Sequence, residues 1–201
     1  MRTALLSNYV IRNCYFLFLW VRNSFVGGRP EFIKRATLKK YGISNSVWIE
    51  TGTYLGQTTS FLSTISNKVI SFEPDPALFQ RACRIFEHNS GVDLVNLASE
   101  DGLSSSLKHV DGNCNFWLDG HFSGGLTFQG QQNCPVEQEL LIIKKFLKPK
   151  GSYRIFIDDV NCFYDNREDK GYPVIDDLIA WGRKNHFSWF IENNILILTR
   201  N

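Results

Sequence analysis

Five short apolar runs, each ending in an acid, a glycine or a proline turn and each followed by a helical stretch, constrain this chain most. The runs occupy residues 47–50, 68–72, 92–98, 114–118 and 153–157. Between and after them, residues 56–66, 77–88, 101–109, 135–147 and 174–185 have helical spacing. Strands alternating with helices imply a parallel sheet covered on both faces. Residues 187–191 and 195–199 differ: only Glu192-Asn193-Asn194 separates them, which signals a hairpin. The expected fold is α/β, a doubly wound, mostly parallel seven-stranded sheet with a C-terminal antiparallel hairpin.

A chain of 201 residues suits one such domain, here 41–201, with a helical extension over 1–40. Residues 1–26 and 31–41 read as helices, broken by Gly27-Gly28 and Pro30. Hydrophobic content of 43% with 21% charged residues fits a soluble globular chain rather than a disordered one. A net charge of +2 gives no bulk attraction to nucleic acid. The charge is uneven, however. Residues 1–40 carry Arg2, Arg12, Arg22, Arg29, Lys34, Arg35, Lys39 and Lys40 against Glu31 alone. This basic segment has three readings: a lid, a contact in a homodimer, or a peripheral contact with an anionic membrane. The apolar stretch between Arg12 and Arg22 is far short of the ~20 residues of a membrane span, and no small-residue cleavage site follows it. Five scattered cysteines with no C-x-x-C pair read as reduced thiols in the cytoplasm, not as a zinc site.

In open α/β sheets, ligands bind at the carboxyl ends of the strands. The first ends Glu50-Thr51-Gly52-Thr53-Tyr54-Leu55-Gly56. Its glycines permit a tight turn, but Tyr54 and Leu55 crowd the place of a pyrophosphate, and Glu50 would repel one. An ammonium or sulfonium suits Glu50 better. The second strand ends at Glu73, at the spacing of an acid that binds ribose hydroxyls. After the third, Ser99-Glu100-Asp101 could face an adenine ring or cap a helix. The fourth and fifth end in Asp119 and in Asp158-Asp159. Three converging carboxylates repel unless a cation joins them, and oxygen-only ligands suit Mg or Ca. The alternative is that these aspartates bind backbone amides. His121, two residues past Asp119, has the ordinary pKa of ~6.5 that suits a general base.

The runs Glu50-Thr51-Gly52-Thr53-Tyr54-Leu55-Gly56 and Phe72-Glu73-Pro74-Asp75 resemble motifs of the class I S-adenosylmethionine-dependent methyltransferases, whose fold is Rossmann-like. Tyr54 stands where that family has its middle glycine. The resemblance implies that Glu50, Gly52, Thr53, Tyr54, Gly56 and Thr58 surround the methionine portion of S-adenosylmethionine. It also implies that Glu73 binds the ribose and that Ser99 and Glu100 lie near adenine. Leu118-Asp119-Gly120 and Ile157-Asp158-Asp159 are similar to the metal motifs of the macrocin O-methyltransferase group. By that resemblance Asp119, Asp158 and Asp159 would hold a divalent metal. The expected catalytic residues are Asp119 and His121, the latter on its own chemistry as a base. His121 stands where that group commonly has an acid. The expected reaction is methyl transfer to a hydroxyl of a sugar, glycan or small natural product, with no nucleic acid partner. The rival is a non-catalytic domain that keeps the fold and binds a nucleotide-like ligand.

Overall fold

Seven strands form one sheet in the order β3-β2-β1-β4-β5-β7-β6. They are β1 Val47–Thr51, β2 Lys68–Phe72, β3 Val92–Val95, β4 Cys114–Leu118, β5 Tyr153–Ile157, β6 Ser188–Glu192 and β7 Ile195–Arg200. The first five are parallel, and β7 runs antiparallel to both β5 and β6. This is the doubly wound, mostly parallel sheet with a terminal hairpin expected from the sequence. The structure is a computed structural model and describes residues 9–25, 29–119, 134–164 and 171–201.

The central strands are apolar without interruption because both of their faces are covered. Every residue of β4 is buried, and β1, β2 and β5 are each buried over most of their length. One face carries Ile49, Ile70, Phe72, Phe116, Leu118, Ile155 and Ile157 into the main core, with Leu103, Leu140 and Leu178 packed there from helices. Those helices are α5 Ser99–Leu107, α6 Val136–Phe146 and α7 Ile175–Lys184. Two further helices, α3 Gln57–Leu62 and α4 Pro76–Phe86, follow β1 and β2. Pro76 opens α4, and the Asp75 carboxylate accepts the Ala77 and Leu78 amides at 2.8 Å each.

Two elements are shorter than their sequence pattern suggests. Helix α3 stops at Leu62 rather than Ser66. Beyond it the Ser63, Thr64 and Ser66 hydroxyls turn back onto the carbonyls of Ser60, Phe61 and Leu62. Such local bonds compete with helix propagation. Strand β3 stops at Val95 rather than Ala98, where the Asn96 side-chain amide donates to the carbonyls of Glu73 and Pro74, at 2.7 and 3.3 Å. A 3₁₀ turn, Val160–Phe163, follows β5.

The chain divides into two compact units, Met1–Tyr41 and Gly42–Asn201. The sheet lies in the second. The first contains α1 Tyr9–Arg22 and α2 Glu31–Tyr41. Helix α1 ends in a turn whose Ser24 and Phe25 have φ of 54° and 65°. In α2, Arg35 lies 3.5 Å from Glu31 one turn earlier.

Candidate functional site

The loop after β1 turns sharply. Gly52 has φ 119° and Gly56 has φ 76°, conformations that favour glycine. A Cβ on Gly56 would also stand 3.0 Å from the Phe86 ring. Tyr54, at the middle position, adopts φ 48° despite its side chain and leaves its ring 43% exposed. The amides of Gly52 and Thr53 both donate to the Phe72 carbonyl, at 3.1 and 2.9 Å, so the loop is bound to the end of β2.

Glu50 lies beneath this loop and is fully buried. One carboxylate oxygen accepts the Thr59 hydroxyl from α3 and the Ser71 hydroxyl from β2, both at 2.6 Å. Ser71 is also 2.6 Å from the Thr53 hydroxyl. A serine has one proton. With Ser71 donating to Glu50, Ser71 accepts from Thr53, whose hydroxyl also lies 3.2 Å from the Phe72 carbonyl. The proton order Thr53 to Ser71 to Glu50 ties the turn, the helix after it and the second strand to one buried acid. Thr53 is only 3% exposed, so its side chain belongs to this network. Thr58 is half-buried in the first turn of α3.

Glu73 joins the loops after β1 and β2. One of its oxygens accepts the Tyr54 amide at 2.6 Å, the other the Asp75 amide at 3.1 Å. Burial holds its pKa above the usual carboxylate value, aided by the nearby Asp75 charge and only partly countered by the two backbone amides. An ionised carboxylate has about four acceptor positions, so two amides leave room for hydroxyl donors. Beyond Glu73, the exposed Leu97 gives an apolar surface at the end of β3.

Ser99 and Glu100 open α5. Ala98 is the N-cap and no side chain caps the helix, so neither Ser99 nor Asp101 has that role. The Ser99 hydroxyl lies 2.5 Å from the Glu139 carboxylate and 3.3 Å from that of Glu100. Glu139, on α6, is 1% exposed and did not stand out in the sequence. It lines a cavity with Leu118, Ile157 and Asp158 at the ends of β4 and β5. The cavity has room for about one water molecule.

The described residues do not assemble the expected metal trio. The end of β5 does lie beside that of β4, with the Asp158 amide donating to the Leu118 carbonyl at 3.1 Å. The side chains then diverge in setting: Asp158 is buried, while Asp119 and Asp159 are half-buried. Asp159 adopts φ 50°, and its carboxylate accepts the Asn194 amide at 3.3 Å. Asn194 sits in the β6–β7 turn, where it also accepts the Asn161 amide and bonds the Asn161 side chain. Asp159 is thereby held toward the hairpin. Among the described residues no group of three His, Cys, Asp or Glu side chains is placed to hold a metal ion. His121 and Gly120 lie outside the described residues.

The chain matches no family model and no curated protein. Solved structures do resemble it. SMU.1697c of Streptococcus mutans, assigned as a methyltransferase and solved in complex with SAH, has a TM-score of 0.54 at 17% identity. That match covers 87% of this chain and 98% of the other. The N-methyltransferase NodS of Bradyrhizobium japonicum has a TM-score of 0.52 at 14% identity, covering 84% and 92%. An rRNA methylase of Streptococcus thermophilus has a TM-score of 0.51 at 14% identity, covering 87% and 96%. The seven-stranded sheet with its terminal hairpin is the Rossmann-like fold of these methyltransferases.

Proposed function

We propose that this chain is an S-adenosylmethionine-dependent methyltransferase acting on a hydroxyl of a small molecule or glycan in the cytoplasm. The carrying observation is Glu73. Its carboxylate closes the turn after β1 against the turn after β2 and keeps acceptor capacity for ribose hydroxyls. Glu50 acts from below, by fixing the turn through Thr59, Ser71 and Thr53. Tyr54 and Leu97 offer apolar surface beside the turn, with Ser99 and Glu100 at the adenine side.

The cofactor supplies an electrophilic methyl group on a sulfonium. The chain's residues align the acceptor oxygen with it, and His121, an imidazole of suitable basicity two residues past Asp119, takes the acceptor's proton. Alignment in a closed site supplies most of the acceleration. The choice of a hydroxyl rests on the resemblance at Asp119 and Asp158-Asp159, since the fold neighbours include an N-methyltransferase and an rRNA methylase. A net acidic 41–201 body supports a small acceptor over nucleic acid. Among the described residues no three carboxylates are grouped to hold a metal ion. Burial pushes the Cys134 thiol up to about 12 and raises Cys114 as well, so both are inert protonated thiols.

Calorimetric titration with S-adenosylhomocysteine tests the reading. Binding on the order of micromolar is expected, lost in Glu73→Ala. A parallel titration with Mg²⁺ tests the metal, with Asp158→Asn as its control. Absence of any binding to the folded wild-type chain would overturn the cofactor assignment and favour a domain with a different ligand.

A further inference from the structure

Helix α1 is mostly apolar, broken by Arg12, Asn13 and Arg22. Phe16, Leu19 and Trp20 lie half-buried on one side. On the other, Ile11, Tyr15 and Phe18 recur at spacings of four and three, flanked by Leu17 and Val21. Phe18 is 61% exposed and Val21 52%. Phe25, just past the helix, is 62% exposed and packs edge-on against Trp20 at 4.9 Å. Six of the thirteen large apolar side chains exposed among the described residues therefore fall within residues 11–25. Single exposed apolar residues are ordinary, but a continuous patch marks a surface that something covers.

Length decides how a bilayer could cover it. Fourteen residues at about 1.5 Å each give a helix shorter than the ~30 Å hydrocarbon core. None of the helices among the described residues is long and apolar enough to cross a membrane. A short amphipathic or apolar helix with basic flanks lies in the plane of the headgroups.

Charge favours a lipid surface over a second copy. Residues 1–40 hold eight basic side chains and one acid. Arg22 is exposed one turn beyond Phe18, on the same side as the apolar patch. A second copy would set two such basic segments against each other. An anionic lipid surface offers them the opposite charge.

We infer that α1 docks in the headgroup layer of an anionic bilayer, with Ile11, Tyr15, Phe18 and Val21 toward the acyl chains and the basic residues on lipid phosphates. This surface is independent of the methyltransferase reading.

The test is sedimentation of the full chain with vesicles of phosphatidylcholine alone or mixed with phosphatidylserine. The wild type should partition to the anionic vesicles about tenfold better than to the neutral ones, and added salt should weaken this. Phe18→Glu and Arg22→Glu should each reduce it by about tenfold while leaving the circular dichroism spectrum unchanged, since both positions are exposed. Equal, low sedimentation with both vesicles would overturn the inference. So would vesicle binding that survives both substitutions. A self-association seen by analytical ultracentrifugation and abolished by Phe18→Glu, with no vesicle binding, would assign the patch to a second copy instead.

Discussion

One face of the sheet presents Ile49, Ile70, Phe72, Phe116, Leu118, Ile155 and Ile157; the other sets Glu50, Ser71 and Asn115 among Trp48, Trp117 and Phe156. The first face is bound mainly by apolar burial. The second stacks Trp48 on Phe156 at 5.4 Å but also buries the hydrogen-bonded side chains of Glu50, Ser71 and Asn115. Asn115 accepts the Ile43 amide at 2.9 Å and donates to the Ile43 carbonyl and the Ser46 hydroxyl, which fixes the segment leading into β1. Glu50 and Ser71 fix the turn leading out of it. Apolar contact is non-directional, whereas a buried hydrogen bond specifies one geometry. The polar face is where this fold defines the position of its first strand and the loop beyond.

Breaking the apolar face should cost most. Phe116→Ala should lower unfolding free energy by about 3–5 kcal/mol in urea denaturation, yet the variant that remains folded should bind S-adenosylhomocysteine nearly as the wild type does. Glu50→Ala should cost about 2–4 kcal/mol, because it strands the Thr59 and Ser71 hydroxyls, and should also abolish ligand binding. Equal loss of affinity in both variants would erase the distinction between the faces. Asn115→Ala should cost about 1–3 kcal/mol and weaken binding only modestly, since it acts on the entry to β1 rather than its exit.

The smallest effect is also the most diagnostic, a pH dependence from Glu73. Burial raises its pKa in the folded chain above the ordinary 4.5. Its contribution to stability is therefore fully present below 4.5 and lost as pH rises through the folded value. Affinity should run the other way. Ribose hydroxyls need an ionised acceptor, so binding of S-adenosylhomocysteine should strengthen over the same interval. Titrations across this pH range should show opposed trends, both absent in Glu73→Gln. Parallel trends would remove Glu73 from the ligand contacts.

The strands were legible because burial on both faces leaves uninterrupted apolar runs, and the start of α4 because Asp75-Pro76 is a local capping signal. Asn193-Asn194, with φ of 51° and 59°, likewise announced the hairpin. What escaped was non-local. Glu139 reads as an ordinary helix residue until the fold sets α6 against α5. Asn194 reads as a turn former, yet its side chain reaches Asp159 and draws it from the expected metal trio. Ser71 and Asn115 did leave a trace: a lone polar residue inside a central apolar strand requires a buried partner. That requirement identifies the residue but not the partner. Residues 120–133, which include His121, lie outside the described structure.

The two amides on Glu73 belong to loop residues, which in most proteins exchange their hydrogens with solvent almost at once. Here Tyr54 and Asp75 donate to a nearly buried carboxylate, so both should exchange on the timescale of local opening. In a deuterium-uptake map, slow exchange would extend from the sheet into these two turns. Its disappearance in Glu73→Ala would measure the free energy with which one side chain keeps them shut.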